Sequence, residues 1–144
     1  MKAFRNPFLL VVLFCSLFLV KCTCGPEEED TLIKQIATNW KISTLTVGGN
    51  AITTGTEAFE LSLKESGDKP TTFTITTGGL AYNFASATSG SWTVNDVKNP
   101  TQATFASKTV DFTASKTQLR IQYKTDKAVD KNEPVVVFVL VPKI

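Results

Sequence analysis

The chain has 144 residues, a formal net charge of +2, 42% hydrophobic residues and no histidine, which allows one domain with its own core and leaves little room for a second. Lys2, Arg5 and Lys21 lie in the first 21 residues, so the remainder carries 12 basic and 13 acidic side chains, a net of −1, and has no basic block of the kind that tracks nucleic-acid phosphates. Without histidine the chain lacks the usual general base near neutral pH and the commonest metal ligand, which argues against most enzymes and against a metal site.

Lys2 and Arg5 precede an apolar run over residues 8–20. A basic start followed by an apolar stretch shorter than the ~20 residues of a spanning helix has the form of a secretory signal. The run ends in Leu19-Val20-Lys21-Cys22. In this it resembles bacterial lipoprotein precursors, whose signal closes with Leu three residues before the Cys that becomes lipidated. The resemblance implies a cleaved signal peptide over residues 1–21 and thioether lipidation at Cys22, with two or three acyl chains giving a stable membrane anchor where one would be marginal. Lys21 stands where a small residue is usual, and Cys24 is a rival acceptor that would put Lys21 at the Leu position. With Cys22 lipidated, no disulfide framework is expected in the exported domain.

Residues 22–30 continue with Gly25-Pro26-Glu27-Glu28-Glu29-Asp30. An acidic run close behind the anchor resembles the surface-export signal of Bacteroidota lipoproteins. It implies an outer-membrane location facing the cell exterior; read from the residues alone, the run is a solvated tether or an acidic first helical turn.

Residues 31–144 read as the folded domain. Leu32, Ile33, Ile36, Ala37 and Trp40 share one helical face, which predicts a short helix running into the first strand. Trp40 and Ile42 fall on one face of that strand and Leu45 and Val47 on the other, so a bulge is expected near Ser43 or Thr44. Beyond it the period is two: Phe59, Leu61 and Leu63; Phe73 and Ile75; Leu80, Tyr82 and Phe84; Trp92 and Val94; Val110 and Phe112; and Leu119, Ile121 and Tyr123 all alternate with polar or small residues, the pattern of strands with one face in the core and one in water. Residues 135–141 are apolar on both faces, as a strand covered on both sides or closing a barrel seam would be, with Pro134 and Pro142 as punctuation. Turns are expected at Gly48-Gly49-Asn50, Ser66-Gly67-Asp68, Gly78-Gly79, Ser89-Gly90 and Asn99-Pro100.

About eight short strands without intervening helices predict an all-β fold, an antiparallel meander closed into a barrel or, alternatively, a β-sandwich. The layout resembles the small lipocalin-like outer-membrane lipoproteins of Bacteroidota: lipidated leader, short helix, Trp on the first strand and a strand-only remainder with Ser89-Gly90-Ser91-Trp92. Where lipocalins open that strand with Gly-x-Trp, this chain has Thr38-Asn39-Trp40. The family's Arg that packs over the Trp would correspond to Arg120, which falls on the polar face of its strand.

Trp40, Tyr82, Trp92 and Tyr123 are the candidate ligand-binding residues, with Phe84 beside them, since a small barrel holds either a packed core or one small molecule. At alternating positions such side chains more commonly form core. The exposed-face threonines Thr72, Thr74 and Thr76 suit a sugar-binding surface but equally satisfy β-propensity. Asp126, Asp130 and Glu133 share a loop but, interleaved with Lys127 and Lys131, lack the spacing of a Ca²⁺ loop. No catalytic or nucleotide-binding motif is present, and Glu60 and Asp111 fall on polar faces. The expectation is therefore a non-catalytic, lipid-anchored surface protein without cofactor. Its β domain would bind or interact with a protein partner at the outer membrane, possession of a lipid or other apolar small molecule in the barrel being the alternative.

Overall fold

The computed structural model describes residues 30–125 and 134–144. The signal segment and Cys22 lie outside the described residues, as do Cys24 and the acidic loop residues Asp126, Asp130 and Glu133.

Helix α1 (Leu32–Ile36) starts at Thr31, whose hydroxyl accepts from the Lys34 backbone N–H, an N-cap that satisfies one of the helix's free donors. Its apolar side chains Ile33 and Ile36 are fully buried. The strands follow as β1 (Asn39–Val47), β2 (Asn50–Ala51), β3 (Glu60–Ser66), β4 (Lys69–Thr76), β5 (Ser89–Val94), β6 (Gln102–Phe105), β7 (Lys108–Ser115), β8 (Gln118–Lys124) and β9 (Val135–Pro142). Every pairing is antiparallel: β3 to β9 pair in chain order, β1 pairs with both β2 and β3, and β1 also pairs with β9. That seam closes an eight-stranded meander barrel, with the two-residue β2 a spur on β1. The fold is the barrel of the two expected alternatives.

The seam explains why β9 is apolar on both faces. Val136, Phe138 and Leu140 point into the core, while Val135, Val137, Val139 and Val141 are half-buried on the outer wall between β8 and β1. The expected break in β1 is a bulge: Ile42 pairs with Leu140 and Thr44 with Val139, so Ser43 is the extra residue. It turns Leu45 to the same side as Trp40, and both are buried.

Two expectations are corrected. Leu80, Tyr82 and Phe84 do not form a strand; they lie in the loop between β4 and β5, which has no ladder partner and instead folds its apolar side chains inward. Ser89-Gly90 is not a turn but opens β5, where Gly90 pairs with Phe73 and a Cβ there would stand 3.4 Å from the Phe73 ring. The turns at Gly48-Gly49, Gly67-Asp68 and Gly78-Gly79 occur as expected.

Antiparallel alternation puts α1 and the 67–68, 95–101 and 116–117 connections at one end of the barrel. Lys34 and Thr31 both reach Asp68 there, at 3.4 and 3.0 Å. At the other end, residues 52–59 and 77–88 pack on one another: Phe59 meets Phe84 at 6.3 Å between ring centroids, and a Cβ on Gly78 would come within 2.5 Å of Ala58. Ser86 joins this loop to the β6–β7 hairpin through a 3.0 Å hydrogen bond with Ser107.

Candidate functional site

The barrel interior is a shared aromatic core. Phe84, delivered by a loop, lies 5.0 Å from Phe105 and 5.3 Å from Phe138; Phe105 in turn meets Phe73 edge-on at 5.3 Å and stacks on Trp92. Such offset and edge contacts add to burial. Among the described residues no polar or charged side chain is buried.

The four candidate ligand-binding residues belong to the core or pack against it. Trp40 is fully buried and donates its indole N–H to the Ile36 carbonyl at 2.9 Å, holding the end of α1. Trp92, 1% exposed, donates to the Lys64 carbonyl at 2.9 Å, at the shift in register between Leu63 and Glu65. Tyr123 stacks on Phe138 and carries the Lys108 ammonium 4.1 Å above its ring. Tyr82 is half-buried in the β4–β5 loop, against the core. All four pack with the core, and Arg120 stands on the exposed outer wall rather than over Trp40.

The outer wall offers a different site. A groove of about 440 Å³ runs over β6, β7 and β8, lined by Gln102, Asp111, Gln122 and Lys124 together with Ser107, Lys108 and Thr109. That volume is within the range of small-ligand sites, roughly 300–1,000 Å³. Strand pairing builds its floor: Gln102 pairs with Asp111 and Asp111 with Gln122, so three outward side chains form a carboxamide–carboxylate–carboxamide row across the strands. Among the described residues none of the three side-chain groups takes part in a hydrogen bond or ion pair. Lys108 and Lys124 stand at the loop end, giving the groove a net charge of +1 against Asp111.

In the sequence Asp111 is legible only as a residue on the polar face of its strand. The signal that identifies the row is the register of three strands, and Gln102 belongs to β6, a strand too short to stand out by alternation.

Glu60, the other acid on a polar face, pairs with Lys143, which ties β3 to the end of β9. Thr72, Thr74 and Thr76 of β4 are exposed as expected, and Thr104 and Thr109 bond to each other at 2.9 Å beside the groove. Compared with family models, with curated proteins and with solved structures, the chain gives no match in any of the three.

Proposed function

We propose that the chain is a lipid-anchored lipoprotein of the outer membrane, facing the cell exterior, whose β-barrel is a non-catalytic binding or protein-interaction module and an accessory subunit of a membrane assembly. The observation that carries this reading is the barrel's interior, occupied by its own rings from Phe59, Phe84, Phe105 and Phe138. Recognition then falls to the outer wall and the loop end. The anchor rests on the Leu19-Val20-Lys21-Cys22 sequence, and the orientation on the acids that follow it.

Metabolic labelling with an alkynyl fatty acid tests the anchor. The wild-type chain takes up label and Cys22→Ala does not; label persisting in Cys22→Ala and lost in Cys24→Ala would move the anchor by two residues. Protease digestion of intact cells tests the orientation, since only an outward-facing barrel is accessible without permeabilisation.

The second reading is a carrier of a lipid or other apolar molecule. It is favoured by the way Leu80 and Phe84 enter the barrel from a loop, outside the hydrogen-bonded ladder. Native mass spectrometry of residues 25–144 separates the two. A reproducible adduct removed by organic solvent supports the carrier, and a clean apo mass from several expression hosts supports recognition by the exterior.

A further inference from the structure

We infer that the groove over β6, β7 and β8 is a binding site for an acidic saccharide, a sugar chain that carries a carboxylate. The inference rests on the reading that the barrel binds through its exterior and names the site and the ligand chemistry.

Three observations define the ligand. The row Gln102, Asp111 and Gln122 spans two strand spacings, about 9–10 Å, comparable with the length of a disaccharide. Each carboxamide presents two donors and an acceptor, and the carboxylate presents acceptors alone. A ligand that satisfies such a row must donate and accept at successive points along its length. Sugar hydroxyls do both, whereas a phosphate only accepts at its ionised oxygens and offers the Asp111 carboxylate no donor.

The groove's lining is more polar than apolar: Gln102, Ser107, Thr109, Asp111 and Lys124 are exposed, while Val110 and Tyr123, which also line it, are largely buried. An apolar ligand would therefore gain little by lying there. Finally, Lys108 and Lys124 place two ammonium groups at one end. Lys108 is held over the Tyr123 ring, and Lys124 makes no ion pair among the described residues. A carboxylate on the sugar matches that end through charge-assisted hydrogen bonds, which are stronger than neutral ones, while its hydroxyls match the row.

The test is a titration of the ¹⁵N-labelled chain spanning residues 30–144, which contains the closed barrel and every core side chain buried among the described residues. The probes are digalacturonate and the neutral digalactose. The expected result is saturable shifts of backbone amides in β6, the 106–107 turn, β7 and β8, with digalacturonate bound at least tenfold more tightly than digalactose. Asp111→Ala and Gln122→Ala should each weaken binding of both sugars at least tenfold. Lys124→Gln should bring digalacturonate down toward the level of digalactose. All three side chains point outward, so the rest of each variant's spectrum should match the wild type.

No shift with either sugar, shifts on a different wall, or unchanged binding in Asp111→Ala would overturn the assignment while leaving exterior recognition intact. Saturable shifts confined to the interior, at Phe84, Phe105 and Phe138, would overturn both.

Discussion

The two indole N–H groups of the chain end on backbone carbonyls where regular hydrogen bonding breaks off. Trp40 bonds to Ile36 at the end of α1 and Trp92 to Lys64 at the shift in register of β3. A helix leaves its last carbonyls without intrahelical partners and a bulge disrupts its ladder locally, so a buried indole finds its required acceptor at such places. Trp92→Phe removes this bond and part of the stack on Phe105. It should cost about 1–3 kcal/mol, measurable as a lower urea midpoint with an unchanged slope. The Asp68 carboxylate sets a second residue-scale effect. It hydrogen-bonds and attracts Lys34, raising the ammonium pKa above its ordinary 10.5. A raised pKa means that the folded state holds the proton more tightly. The contribution is complete below the unfolded pKa, about 10.4, and fades as pH rises through the folded value. Asp68→Asn keeps a residue that tolerates the positive φ of 64° at this position. The gap in melting temperature between wild type and Asp68→Asn should therefore be constant from pH 7 to 9 and shrink above about pH 10.5.

Among elements, alternation disclosed which side chains are buried more faithfully than which backbones are paired. Phe59, Leu61 and Leu63, or Leu119, Ile121 and Tyr123, read as half-buried strands and are such strands or lead directly into one, because one wall of a barrel faces core and the other water. Leu80, Tyr82 and Phe84 alternate just as well yet belong to a loop, since folding apolar groups inward imposes the same pattern without a ladder. Conversely, β6 is a paired strand whose inward residues are only Ala103 and Phe105, too weak a signal to separate from its flanking loops. The bulge was legible because Leu45 and Val47 stand one residue out of step with Trp40 and Ile42, and a side-chain period of two makes any such offset visible. That parity can be tested. Deleting Ser43, the extra residue, would return β1 to an unbroken ladder with β9 and keep Leu45 opposite Phe138 on the core side. The deletion should therefore cost less than Leu45→Ala, which removes a buried side chain at about 2–5 kcal/mol, while Ser43→Ala, with its side chain exposed, should stay within about 0.5 kcal/mol of wild type. Urea unfolding followed by tryptophan fluorescence would measure all three.

At the scale of the whole molecule, sequence patterning reaches the barrel but not the site. Closure was foreshadowed by one strand, β9, whose outward valines set it apart, while the groove depends on Gln102, Asp111 and Gln122, far apart in sequence and aligned by two ladders. Whether the interior is core or calyx turns on Phe84. Its ring reaches Phe59, Phe105 and Phe138 from three sides, yet its backbone belongs to a loop whose side-chain tie to the β6–β7 hairpin is the Ser86–Ser107 pair. Phe84→Ala should cost about 3–5 kcal/mol, the range for truncating a buried Phe. The void it leaves would be lined by aromatic rings, and apolar cavities of this kind stay dry and accept benzene or xenon. Benzene should therefore raise the melting temperature of Phe84→Ala and leave the wild type unchanged, while Ser86→Ala, which frees the loop from Ser107 without emptying the interior, should behave like the wild type. If benzene stabilised the wild type as strongly as the variant, Phe84 would be a displaceable plug rather than fixed core, and the barrel would have room for an apolar ligand without any mutation.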